Sequence, residues 1–116
     1  VDDLKKSLKI LENSNDDIYV FVATSYPFPI FRSIFIDEKG YSSMLYPEKF
    51  KERSQDLKEA FHDAGQFYWA KSETWCNVKN IFQRAKPLVI PSWRVQDIDT
   101  AEDWLRAEKL FDLMKK

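Results

Sequence analysis

Six consecutive residues, Ile18-Tyr19-Val20-Phe21-Val22-Ala23, carry no charged or strongly polar interruption, and they limit the possible folds more than any other stretch. A strand with one wet face alternates apolar and polar positions. A short continuous run rich in β-formers belongs instead to a strand covered on both faces, as in a parallel sheet. Upstream, Val1, Leu4, Leu8 and Leu11 recur at helical spacing while Lys5, Lys6, Lys9 and Glu12 fall opposite, so residues 1–13 predict an amphipathic helix. Asn13-Ser14-Asn15-Asp16-Asp17 ends it. Helix followed by buried strand is half of a βαβ repeat, which gives an α/β class and calls for another strand before Val1.

Pro27 and Pro29 close that strand. Residues 31–36 and 41–46 read as the arms of a hairpin around Asp37-Glu38-Lys39-Gly40. Residues 47–62 are polar and carry no clear element. Residues 67–70 and 88–90 predict short strands, and Ser72 predicts the cap of a brief helix reaching Asn77, with Trp75 on its apolar side. A last helix is expected over 101–114, burying Trp104, Ala107, Leu110, Phe111 and Met114 as one stripe. Trp69, Trp75 and Trp104 are expected in the core and Trp93 partly in solvent. Cys76, between Trp75 and Val78, reads as packing rather than as a nucleophile.

Composition excludes several classes. With 44% hydrophobic and 16% aromatic residues over 116 positions, the chain can build one core and is not disordered. A formal net charge of −1 lacks the basic excess of a nucleic-acid binder. A single cysteine fits a reducing compartment, and no apolar run has membrane-spanning length, so a soluble cytoplasmic protein is expected. Gly40 and Gly65 are the only glycines, too few for a loop that cradles phosphate on backbone N–H groups. A nucleotide-binding loop would have to lie outside these residues. The abrupt helical start at Val1 reads as a fragment lacking its N-terminal half.

The chemistry concentrates at 94–104, RVQDIDTAEDW. Thr100 with Asp103 reads as a capping-box-like helix start. Just before it, Asp97 and Asp99 are two residues apart in an extended stretch and share a face. Two carboxylates aimed at one point repel unless a cation or a proton intervenes. Magnesium suits them, since it takes one or two carboxylates and fills its other positions with water and phosphates. The alternative is that Asp97 helps cap the turn, Asp99 is solvated, and nothing binds. Arg53, Gln55 and Asp56 form a compact polar group that by itself reads as a solvated loop or helix start. His62, the sole histidine, has no serine or cysteine partner motif and reads as structural or as part of a rim.

Segment 94–104 closely resembles the C-terminal metal-binding segment of the CMP-nonulosonic acid synthetase (acylneuraminate cytidylyltransferase) family. HDAGQFYWAK at 62–71 and RSQDLKEAFH at 53–62 resemble its pseudaminic acid branch, and the likeness runs over essentially the whole chain. The resemblance implies the C-terminal half of a Rossmann-like nucleotide-diphospho-sugar transferase fold. Residues 1–30 and 66–116 would belong to the sheet and helix core, 31–65 to a β-hairpin dimerisation excursion, and the N-terminal CTP-binding half would be absent. It implies transfer from CTP to an acidic nine-carbon sugar with release of pyrophosphate. Asp97 and Asp99 would hold Mg2+; Gln66, Tyr68 and Phe82 would face the sugar; Arg53 and Gln55 would lie near the partner subunit's sugar site in a homodimer. The fragment alone is expected to be inactive. Two alternatives stay open: a non-catalytic α/β assembly or ligand-binding module, and a cytidylyltransferase for N-acetylneuraminic or octulosonic acid.

Overall fold

Helix α1 (Asp2–Glu12) forms where the periodicity puts it, with Asp2 and Asp3 at its positive end and Lys9 in its last turn. Its apolar stripe is unevenly used. Leu11 is buried and Leu8 and Ile10 pack beside it, whereas Val1 and Leu4 remain exposed. Ser7, fully buried, satisfies its hydroxyl by donating 2.7 Å back to the Asp3 carbonyl. The structure, a computed structural model, describes every residue except Val78, Lys79 and Lys116. The expected packing of Cys76 on Val78 therefore lies outside the described residues, and Cys76 itself is an exposed free thiol.

The continuous apolar run becomes β1 (Val20–Ser25), the middle strand of a three-stranded sheet. Strand β4 (Phe61–Trp69) flanks it on one side and β5 (Leu88–Val89) on the other. Pairing with β5 is parallel, Val22 opposite Leu88 and Ala23 opposite Val89, as the unbroken hydrophobicity of β1 required. The Thr24 hydroxyl donates to the Ile90 carbonyl at 2.8 Å, which lets a polar side chain stay buried. Pro87 and Pro91 flank β5, tolerable because β5 is an edge strand.

Both faces of β1 are covered. Val20 joins Leu11 and Ile18, with Leu8, Ile10 and Trp69 against them; Val22 joins Ala64 and Ile90, with Phe67, Leu88 and Val95. From the other face Tyr19 meets Trp75 of α2 (Ser72–Asn77) edge-on at 4.9 Å and donates 3.2 Å to the Thr74 carbonyl. Helix α2 begins at Ser72, and Lys71 supplies the first carbonyl, so Ser72 is inside the helix rather than capping it.

The chain divides into two compact units, Val1–Thr24 with Asp63–Lys116, and Ser25–His62. In the second, β2 (Ile34–Ile36) and β3 (Ser42–Met44) form the expected antiparallel hairpin with shorter arms. Asp37 closes its turn by accepting from the Lys39 and Tyr41 N–H groups, both at 2.9 Å, and Gly40 supplies the left-handed backbone at φ 86°. Residues 47–62, unassigned from sequence, hold short 3₁₀ turns at Pro47–Lys49 and Ser54–Asp56 before β4 begins. Arg32 organises the first of these turns by donating to the carbonyls of Lys49, Phe50 and Glu52.

Helix α3 (Ala101–Met114) has the expected bounds but not the expected burial. Only Ala107 and Leu110 of its stripe are half-buried. Trp104 is 58% exposed, Phe111 56% and Met114 50%, and Trp75 on α2 is 49% exposed, so neither tryptophan is core. The reason is that Ala107, Leu110, Phe111 and Met114 face segment 93–96 across an open groove instead of lying on the sheet. Trp93 is half in solvent, as expected. No helix among the described residues is long and apolar enough to cross a membrane.

Candidate functional site

Strand β4 is longer than its sequence suggests and is not regular. Gly65, at φ +64°, puts a left-handed residue in mid-strand, where most side chains would be strained. The parity of the strand changes there. Ala64 and Phe67, three apart, both belong to the cluster around Val22 and Ile90, although residues three apart in a regular strand point to opposite faces. Asp63 fixes the bulge by accepting the Gly65 N–H on Oδ1 at 2.9 Å. Its Oδ2 accepts the hydroxyl proton of Tyr68. In a regular strand these residues would be about 16 Å apart on opposite faces; the bulge is what joins them.

Tyr68 is held by the Asp63 carboxylate and the Phe21 ring. Its ring leans on Phe21 of β1 at 6.0 Å, and Phe21 meets the Phe82 ring edge-on at 5.5 Å. The hydrogen bond to Asp63, then burial, then the charges of Asp63 and Asp97, push the Tyr68 phenol up to about 12. Two of the residues expected on the sugar side, Tyr68 and Phe82, thus share one buried neighbour, and the charge of Asp97 reaches the first of them. Phe82 is 58% exposed and its N–H is taken by the Asn80 side chain at 3.0 Å. Gln66 does something the sequence did not suggest: its Nε2 donates to the Arg94 carbonyl at 3.1 Å.

That bond, with the ion pair between the Arg94 guanidinium and Asp3 of α1, anchors the acidic segment three residues before Asp97. At its other end the capping box is complete. The Thr100 hydroxyl accepts the Asp103 N–H at 3.2 Å, and the Asp103 carboxylate accepts the Thr100 N–H at 2.9 Å, its hydroxyl at 2.7 Å and the Asp99 N–H at 3.3 Å. The bonds from Thr100 hold the Asp103 carboxyl below its ordinary range. Thr100 with Asp103, and not Asp97, therefore caps the helix. Among the described residues the carboxylates of Asp97 and Asp99 receive no hydrogen bond or ion pair, and both are exposed. No three acidic, histidine or cysteine groups converge among the described residues. Two free carboxylates on an anchored segment fit magnesium, a hard ion that needs only one or two protein oxygens when phosphates supply others.

In the second unit Arg53 precedes the 3₁₀ turn that contains Gln55, and its Nε pairs with Asp56 at 2.8 Å; all three are exposed. The His62 ring leans on Tyr26 at 4.9 Å, tilted by 58°, which fits a structural place. Reading the sequence alone missed Asp63, Phe21, Arg94 and Asp3. Only Asp63 left a signal, the Asp-x-Gly pattern of an Asx turn.

No protein-family model matches the chain. It is similar to the pseudaminic acid cytidylyltransferase of Campylobacter jejuni, 37% identical over 98 residues, in the proteins of two of its serotypes. That match takes in 84% of this chain and 42% of the relative. It is also 32% identical over 96 residues to a Helicobacter pylori protein named pseudaminic acid cytidylyltransferase and UDP-2,4-diacetamido-2,4,6-trideoxy-beta-L-altropyranose hydrolase, covering 82% of this chain and 18% of that one. The chain spans about two fifths of the Campylobacter relatives it matches.

Proposed function

We propose that this chain, a relative of the CMP-nonulosonic acid synthetases through its likeness to the pseudaminic acid cytidylyltransferases, is the metal- and sugar-side portion of such an enzyme. The reaction is displacement at the α-phosphorus of CTP by the anomeric hydroxyl of an acidic nine-carbon sugar, pseudaminic acid favoured, with pyrophosphate leaving. Such a reaction asks for alignment and for neutralisation of phosphate charge. Asp97 and Asp99 are the ligands for Mg2+, which when bound supplies that neutralisation. Tyr68, Phe82 and the free carbonyl of the Gln66 amide line the sugar side. The residues that hold CTP lie in a part of the full-length protein outside this chain, these residues alone are inactive, and the working form is a cytoplasmic homodimer with a Rossmann-like core.

The observation that carries the reading is electrostatic and local. Gln66, Tyr68 and Phe82, singled out for the sugar, and Asp97 and Asp99, singled out for the metal, belong to one compact unit, with the Asp97 charge acting on the Tyr68 phenol, whereas Arg53 and Gln55 belong to the other unit. Two unpaired carboxylates on a segment tied down at both ends support the metal reading over that of a non-catalytic module. The direct experiment incubates the full-length protein with CTP, magnesium and a panel of nonulosonic and octulosonic acids, and scores the CMP-sugar by mass. Asp97→Asn and Asp99→Asn should each lower turnover at least about 100-fold with unchanged circular dichroism, because a carboxylate that holds the metal acts with it as a unit. Near-normal turnover of both variants at limiting magnesium would sink the metal assignment.

A further inference from the structure

We infer that Asp63 is a positioning residue for Tyr68: by accepting the phenol O–H hydrogen bond it leaves the phenol oxygen as a hydrogen-bond acceptor, so Tyr68 meets an O–H or N–H of the substrate and not its carboxylate. This rests on the proposed sugar-side place of Tyr68 and gives that place a chemical direction. A tyrosine hydroxyl has one proton to donate and lone pairs to accept with. Here the O–H donates to Asp63 Oδ2. An ionised carboxylate only accepts, so the bond has one polarity. Asp63 cannot swing away easily, because its Oδ1 is committed to the Gly65 N–H at 2.9 Å and the bulge depends on that bond. Tyr68 cannot turn either, since its ring is set against Phe21 at 6.0 Å. What remains for a ligand is the lone-pair side of Oη. A sugar carboxylate placed there would face an oxygen with no proton to offer and the acidic group of Asp63, whose charge already reaches the phenol. A hydroxyl or an acylamino N–H placed there would be bound and drawn toward that negative potential.

The test uses the full-length protein with CTP and pseudaminic acid. Asp63→Asn keeps the shape, lets the amide oxygen accept from Gly65 and turns the amide NH2 toward Tyr68, which reverses the polarity of the bond. It should raise KM for the sugar roughly ten-fold or more while KM for CTP stays within about two-fold, since one misdirected polar contact is lost at one substrate. Tyr68→Phe, which keeps the ring on Phe21, should raise the sugar KM similarly, and the double variant should be no worse than the single ones. Asp63→Ser, which still offers Gly65 an acceptor, replaces Asn where the latter does not fold. The Tyr68 13Cζ resonance, assigned by its loss in Tyr68→Phe, should shift in Asp63→Asn if the bond exists. An active wild-type enzyme whose sugar KM is unmoved by Asp63→Asn overturns the inference and leaves the function standing. Equal rises in both KM values reduce Asp63 to a structural residue. A wild-type protein that makes no CMP-sugar from any acid in the panel removes the function itself, and the inference with it.

Discussion

At the scale of single residues, the Asp63–Tyr68 pair links local geometry to a pH-dependent stability. The phenol is pushed up to about 12 in the folded protein, chiefly by its bond to Asp63, whereas an unfolded tyrosine titrates near 10. A raised value means the folded state favours the protonated form. The stabilisation is therefore complete below about pH 10 and disappears as the pH climbs toward 12. Urea midpoints should fall more steeply between about pH 9.5 and 11.5 for the wild type than for Tyr68→Phe. The other tyrosines are common to both proteins and cancel in the comparison. Parallel profiles would mean that Tyr68 and Asp63 are not coupled. Nothing in the spacing announced this pair, because residues five apart in a strand do not meet unless a bulge intervenes.

At the scale of elements, what was legible in the sequence was what local chemistry decides. The capping box of α3 is written in Thr100 and Asp103, and the helix starts there. The stripe of α3 was misread because burial is decided by what packs opposite, and opposite Phe111 and Met114 is an open groove. Strand β1 was legible because a buried strand needs no partner information to be recognised as apolar. Strand β4 was legible only in its apolar end, 67–70, because Asp63-Ala64-Gly65 is an Asx-stabilised bulge inside the strand and breaks its pattern. The bulge itself is open to test. A Cβ built at Gly65 would meet nothing within 4 Å, so only backbone strain opposes a side chain there. Gly65→Ala should destabilise the fold by about 1–2 kcal/mol, the cost of a left-handed L-residue. Gly65→Asn should cost less, because asparagine tolerates that region. Denaturant midpoints at unchanged m-value would measure both. Equal losses for Ala and Asn would mean that φ is not what selects glycine.

At the scale of the molecule, the β2–β3 hairpin is the surface on which we propose that copies of the chain associate. It exposes apolar side chains on both its faces: Ile34 54% and Ile36 70% on one, Phe35 61% on the other, with Tyr41 73% exposed at the turn. A two-stranded ribbon is marginal in water by itself, and a concentration of apolar surface of this kind usually marks a contact. With the resemblance of 31–65 to a dimerisation excursion, the expected assembly is a two-fold dimer built on these strands, with Arg53 near the partner's sugar site. Phe35→Asp separates association from folding. Because Phe35 is largely in solvent in the monomer, an aspartate there disturbs little of the unit that carries it. In a dimer the same carboxylate would be buried without a partner, at a cost of about 3–5 kcal/mol. The wild type should therefore scatter light as a dimer at tens of micromolar, and Phe35→Asp as a monomer with unchanged circular dichroism. A wild-type monomer at that concentration, or a dimer indifferent to the substitution, would move the interface away from the hairpin and leave its apolar faces to another partner.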